Sequence, residues 1–146
     1  MIRKAEAADV AAIARIVAQA YGKYVARIGR EPGPMADDYA ARIAAGEAFV
    51  CADARGIAGL VVLVDKPDCL LLDNIAVAPE RQGEGIGRRL LDFADSEAAR
   101  RGFREIRLYT HVLMHENIAM YGKLGWQEYA RGEEAGFSRV FMRKTF

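Results

Sequence analysis

The stretch Ala78-Pro79-Glu80-Arg81-Gln82-Gly83-Glu84-Gly85-Ile86-Gly87-Arg88-Arg89 joins an apolar strand to an amphipathic helix through a turn with glycine at alternate positions. Upstream, Leu70-Leu71-Leu72-Asp73-Asn74-Ile75-Ala76-Val77 reads as a buried strand; downstream, Ile86, Leu90, Phe93 and Ala94 follow a helical period. Glycine lets the backbone turn sharply and leaves room beside it, and the first N–H groups of a helix have no acceptor within the helix. Free donors and the positive end of the helix dipole converge on one spot, which suits a pyrophosphate.

A phosphate loop of the nucleoside-triphosphatase kind needs Gly-Lys-Ser/Thr at its end, and Arg88 and Arg89 follow Gly87 here. A dinucleotide fingerprint needs a third glycine where Arg88 stands, at the first strand instead of mid-chain. A tight connection with no ligand stays open for the turn taken alone.

Two motifs in order narrow the choice. Gln82-Gly83-Glu84-Gly85-Ile86-Gly87 matches the Q/R-x-x-G-x-G/A pattern, and Asn117-Ile118-Ala119-Met120-Tyr121-Gly122-Lys123-Leu124-Gly125-Trp126 follows it. Together they resemble the GNAT superfamily of acyl-CoA-dependent N-acetyltransferases, from about Ile2 to Phe146, with Tyr21 to Ala45 the stretch where such proteins differ most.

Composition agrees with one α/β domain spanning residues 1–146. A chain of 146 residues, 52% hydrophobic, buries roughly two thirds of its unfolded surface. Net charge is +1, and the arginines from Arg81 to Arg107 alternate with acids, which is no nucleic-acid footprint. No apolar run approaches the roughly 20 residues that cross a bilayer, and Met1-Ile2-Arg3-Lys4-Ala5-Glu6 lacks a signal core, so a cytoplasmic protein is expected. Cys51 and Cys69 lie in strand-like runs and read as buried thiols.

Along the chain, Ile2–Ala5 reads as a strand, and Asp9 as the cap of a helix that ends near Gly22 or continues to Ile28. Two glycines and two prolines make 29–34 a loop, and a second helix is expected from Ala36 to Ala45. Strands follow at Glu47–Ala52, Ile57–Val64 and Cys69–Val77. After the long helix, which stops at Gly102, come a strand at Glu105–Tyr109, a helix at His115–Leu124 and a strand pair at Trp126–Gly132 and Phe137–Lys144. This order gives a mixed sheet with helices on both faces. The resemblance implies the GNAT fold: a mostly antiparallel twisted sheet whose fourth and fifth strands splay into a cofactor cleft.

For acetyl-CoA, pattern and helix-terminus physics together nominate the backbone of Gln82, Gly83, Glu84, Gly85, Ile86, Gly87 and Arg88, with Arg81, Arg88 or Arg89 as further phosphate contacts. The resemblance implies that pantetheine lies along Ile75, Ala76 and Val77, with the Val77 amide polarising the acetyl carbonyl. It implies Asn117 as a further cofactor contact and Tyr121 as general acid, its phenol protonated at neutral pH. Side-chain alternation puts Asp73 on one face with Ile75 and Val77, where an unpaired carboxylate would gain proton affinity and serve as base. A carboxylate paired with an arginine is the competing reading; Glu116 is a second acidic candidate.

His111 at a strand end is expected to orient substrate or shuttle a proton. His111 and His115 lack a third ligand and the glutamate of a zinc-protease element, so no metal is expected. Tyr24 and Arg27 are expected to contact the acceptor from a lid, Arg27 suiting a carboxylate-bearing amine.

The function expected is direct transfer of acetyl from acetyl-CoA to a primary amine of a small molecule in a ternary complex. Leu108-Tyr109-Thr110-His111 departs from the strand typical of ribosomal-protein acetyltransferases. The alternatives are a protein N-terminal acetyltransferase and a non-catalytic acyl-CoA-binding sensor or regulatory module. A homodimer through the terminal Phe137–Lys144 strand is a further expectation.

Overall fold

The computed structural model describes Met1–Phe146. Strand β1 (Ile2–Lys4) leads through a 3₁₀ turn to helix α1 (Val10–Ile28). Asp9 does not cap α1 with its side chain; its carboxylate accepts from the Glu6 N–H and pairs with Arg3, each at 2.8 Å. Helix α1 takes the longer of its two expected ends, because Tyr24 extends the buried stripe of Ile13, Ile16 and Val17 past Gly22. It stops at Gly29, whose φ of 89° is left-handed.

Helix α2 (Tyr39–Ala44) is shorter than expected. Gly33–Ala36 forms a 3₁₀ turn instead, and Asp38 supplies the cap, accepting from the Ala41 N–H at 3.1 Å. Then come β2 (Ala48–Asp53), β3 (Gly56–Asp65), β4 (Leu70–Val77), α3 (Ile86–Arg100), β5 (Glu105–His111), α4 (His115–Lys123), β6 (Gln127–Glu134) and β7 (Phe137–Thr145).

The strands form one sheet in the order β1-β2-β3-β4-β5-β7-β6, antiparallel except for β4 beside β5. Helices α1 and α2 bury Ile13, Ile16 and Tyr39 against Val50, Leu60 and Val62 on one face. Helices α3 and α4 bury Leu90, Ala94 and Tyr121 against Val61, Leu72 and Leu108 on the other. Both cysteines are buried free thiols, and no helix is long and apolar enough to cross a membrane. The terminal strand is not an edge: β7 lies between β5 and β6, and the edges are β1 and β6. The expectation that Phe137–Lys144 offers a pairing edge is therefore corrected.

Two details of β4 shape the molecule. It pairs with β5 only at Leu70, Leu71 and Leu72, opposite Ile106, Arg107 and Leu108; beyond that point the strands part. On its other side the register with β3 jumps from Leu63↔Leu72 to Val62↔Asn74, so Asp73 is an extra, unpaired residue. A bulge bends and twists its strand and reverses the alternation beyond it. Leu72 and Ile75 thus face α3, while Asp73 reaches Arg42 of α2 and Tyr109. Asp73 does not share a face with Ile75 and Val77, because strict alternation fails at the bulge.

Helix α3 lies close on β3 because residue 59 is glycine. A Cβ there would stand 2.8 Å from the Ala76 carbonyl oxygen and 3.1 Å from side-chain carbons of Ile86 and Leu90. Gly59→Ala is expected to destabilise the fold by about 1–3 kcal/mol, seen as a lowered Tm in thermal unfolding. An unchanged Tm would show that the sheet and α3 are not in this close contact.

Candidate active site

The glycine turn is held open by left-handed residues. Gly83 has φ 86° and Gly85, the N-cap of α3, φ 80°. The first helical bond runs from the Arg89 N–H to the Gly85 carbonyl at 3.1 Å. The amides of Gly83, Glu84, Gly85, Ile86, Gly87 and Arg88 have no acceptor within the chain. Gln82 is bonded instead, its N–H donating to the Pro79 carbonyl at 3.3 Å. A ring of free donors at the N-terminus of a long helix fits a pyrophosphate.

Arg81 is not available to that phosphate. Its guanidinium is buried and spans Asp53, at the end of β2, and Glu84, within the turn, with a bond of 3.0 Å from Nε to Glu84. That pairing holds the Asp53 carboxyl down at about 2. Arg88 lies along α3, paired with Asp92, and Glu84 turns its side chain outward to Arg55.

A cleft of about 470 Å³ runs from this turn between α1 and α4, lined by Tyr24, Ile75, Ala76, Val77, Asn117 and Tyr121 among others. The Ala78 N–H donates to Ala58 of β3 at 2.8 Å, so alternation directs the main-chain groups of Val77 and Ile75 to the opposite edge, which β5 has vacated. The Ile75 carbonyl there accepts from the Tyr21 hydroxyl at 3.1 Å. The same hydroxyl lies 2.7 Å from Asn74 Oδ1.

A second, smaller cavity of about 50 Å³ lies on the α1–α2 side of the splay. Asp73, Tyr109, His111 and Arg139 line it, with Pro32 to Pro34 and Phe137. The two spaces meet at Tyr21, Ile75, Asn117 and Tyr121, which line both. The Tyr121 hydroxyl makes no hydrogen bond within the chain, and its ring packs edge-on to Trp126. Burial raises its pKa, so the phenol stays a proton donor across the neutral range.

The acidic candidates are both engaged. One Asp73 oxygen accepts from Arg42 and the other from the Tyr109 hydroxyl, each at 3.0 Å. The paired reading of this carboxylate holds, and the unpaired burial that would have made it a strong base is absent. Glu116 lies outside, and its bond with Arg27 holds it down at about 2.

Arg27 itself lines neither cavity: it ties α1 to the start of α4 through Glu116 and the Leu113 carbonyl. Tyr24 faces the larger cleft instead of the acceptor side. His111 stays in the smaller cavity. Its pKa is lowered by burial and by Arg139, and its Nδ1 accepts from the Leu113 N–H at 3.1 Å, leaving the proton of the neutral ring on Nε2.

The sequence reading passed over Tyr109, Arg42 and Arg139. Alternation along β5 marks Tyr109 and His111 as sharing a face, but only the register that puts Arg139 of β7 opposite His111 brings Arg139 to the same cavity wall.

A family model described as an acetyltransferase (GNAT) domain matches residues 44–128. A mouse protein named N-alpha-acetyltransferase 80 is 38% identical over 72 residues, which is 49% of this chain and 22% of the relative. A rat protein, N-acetyltransferase family 8 member 3, is 32% identical over 87 residues, 55% of this chain and 38% of that one. The chain thus spans well under half the length of these curated relatives. Among solved structures, PaiA N-acetyltransferase from Thermoplasma acidophilum in complex with coenzyme A superposes with a TM-score of 0.84 at 19% identity, over 100% of this chain and 98% of that one.

The Arg81 clamp generates a pH prediction. The folded-state pKa of Asp53 is depressed, so its contribution to stability is complete above its unfolded value and is lost as pH falls toward about 2. Melting curves from pH 6 to pH 2 are expected to show Asp53→Asn with a lower Tm than the parent at pH 6 and a shallower acid decline. Parallel declines would mean that the pairing does not hold the turn.

Proposed function

Because the chain belongs to the GNAT acetyltransferase family, we propose that it transfers the acetyl group of acetyl-CoA directly to a primary amine of a small molecule, both substrates being bound together. The observation that carries this reading is the meeting of a cleft headed by free amides with a separate small cavity at Tyr21, Ile75, Asn117 and Tyr121. When bound, acetyl-CoA supplies an activated thioester.

The chain's own groups would act on it as follows. The amides from Gly83 to Arg88 hold the pyrophosphate. The gap-facing edge of β4 at Ile75 and Val77 orients the acyl carbonyl, the Val77 amide acting as its donor. Tyr121 donates a proton to the departing sulfur, and the proton that the neutral amine loses as its C–N bond forms and the C–S bond breaks returns through solvent to the Tyr121 oxygen; a phenol kept neutral by burial suits a thiolate whose reference pKa is about 8.5. Asp73, held by Arg42 and Tyr109, sets the wall of the acceptor cavity and receives hydrogen bonds from the amine without serving as a strong base.

The name of the mouse relative favours a second reading, a protein N-terminus as acceptor. The narrowness of the smaller cavity and the prolines lining it favour the small molecule.

Calorimetric titration with acetyl-CoA tests the cofactor side. One-site binding is expected, and Gly85→Glu, which adds bulk and negative charge among the free amides, should abolish it; a folded parent protein that does not bind would end the acetyltransferase reading. Tyr121→Phe should lower kcat about a hundredfold with acetyl-CoA affinity nearly intact. Full kcat in that variant would remove Tyr121 as the acid.

A further inference from the structure

The acceptor cavity contains a cation whose bonding is incomplete. Arg139 on β7 lines it with a side chain that is 13% exposed, and its buried Nε has no hydrogen-bond partner. The nearest carboxylate, Glu134, stands 3.9 Å away at the rim and is 59% exposed, too distant for a hydrogen bond. The guanidinium lies 4.1 Å over the centre of the Tyr109 ring and 5.6 Å from that of Phe137, so aromatic faces fix its plane.

The surroundings divide the charge. Arg30 covers Phe137 at 4.0 Å and has no carboxylate partner, while Asp73 shares Arg42 with Asp37 and Glu47. Across the Tyr109 ring the charges are ordered: Asp73 accepts from its hydroxyl at 3.0 Å, and Arg139 lies over its face. An amine that also carries a carboxylate, with the two groups a few bonds apart, complements this pair. Its amino end would meet Asp73 and the junction with the larger cleft, and its carboxylate would complete the bonding of Arg139.

We propose that Arg139 is the anchor of a carboxylate subsite and that the acceptor is a small amino acid or a close relative bearing a free carboxylate. This deepens the acetyltransferase reading and rests on it for turnover, though not for binding. A planar guanidinium held by stacking loses little freedom when it engages a carboxylate through two donors, and a buried polar group left without a partner is costly. Discrimination against neutral analogues follows. A protein N-terminus gains from the subsite in this way only where its first residue is aspartate or glutamate, whose side-chain carboxylate also stands a few bonds from the amine.

The test sets the common amino acids against their carboxamides. CoA release with saturating acetyl-CoA gives kcat/KM for each, and calorimetry on the CoA-loaded protein gives their affinities. The best acids are expected to exceed their carboxamides by about tenfold or more in both measures. Arg139→Gln should collapse that ratio toward one, and Arg139→Lys, which keeps charge but not the fork, should retain part of it. Acetyl-CoA titration of the same samples confirms that each variant is folded.

Acids that bind in preference to carboxamides without CoA release would support the subsite and overturn the transfer reading. Carboxamides used as well as acids by the parent protein, a ratio untouched in Arg139→Gln, or neither binding nor turnover of any acid would overturn the subsite.

Discussion

One extra residue in one strand organises the cleft. Asp73 interrupts the pairing of β4 with β3, and β4 stops pairing with β5 immediately before it, at Leu72. A bulge bends its strand, and here the bend coincides with the divergence of the two parallel neighbours. The bulged side chain is not left idle: Arg42 from α2 and Tyr109 from β5 both bind it, so the place where the sheet opens is also cross-linked. Removing either partner would leave a largely buried carboxylate short of a bond, which costs about 1–3 kcal/mol for such a group. The gap, the free main-chain edge of Ile75 and Val77, and the meeting of the two cavities all lie just beyond this residue.

Most of the charged side chains near the site serve geometry. Arg81 joins the end of β2 to the glycine turn, Arg27 joins α1 to α4, and Arg42 gathers Asp37, Glu47 and Asp73. Each fixes a wall by pairing carboxylates that would otherwise repel an anionic ligand. The polar groups left out of ion pairs at the turn and along the larger cleft are mostly uncharged: backbone amides, an amide side chain at Asn117 and the buried phenol of Tyr121. Neutral, preorganised donors act strongly where water is excluded. Arg139 stands apart because its guanidinium is packed by rings and incompletely bonded.

The elements were legible where a single periodicity ran unbroken. The helix from Ile86 and the strand from Leu70 stand nearly where their patterns place them, and the turn between them carries the free donors that its glycines foretell. Boundaries governed by capping were less legible. Asp38, and not the region near Ala36, starts the second helix, and Gly22 does not stop the first because buried contacts continue beyond it. The free amides of the glycine turn were legible, because those donors are local in sequence. The smaller cavity was less so: Arg27 and Tyr24 do not line it, and Asp73 takes the arginine-paired alternative.

By itself the sequence determined the order of helices and strands, the glycine turn at the head of a long helix, and the resemblance carried by Gln82–Gly87 and Asn117–Trp126. These follow from short-range rules: backbone freedom at glycine, side-chain period, and the unpaired donors of a helix start. Only the tertiary structure decided which residues line the smaller cavity. That outcome hangs on strand register, on a bulge that reverses alternation at Asp73, and on β7 inserting between β5 and β6 to bring Arg139 opposite His111. Register is a property of two strands at once, and a one-residue slip exchanges the faces of a strand, so no local pattern specifies it.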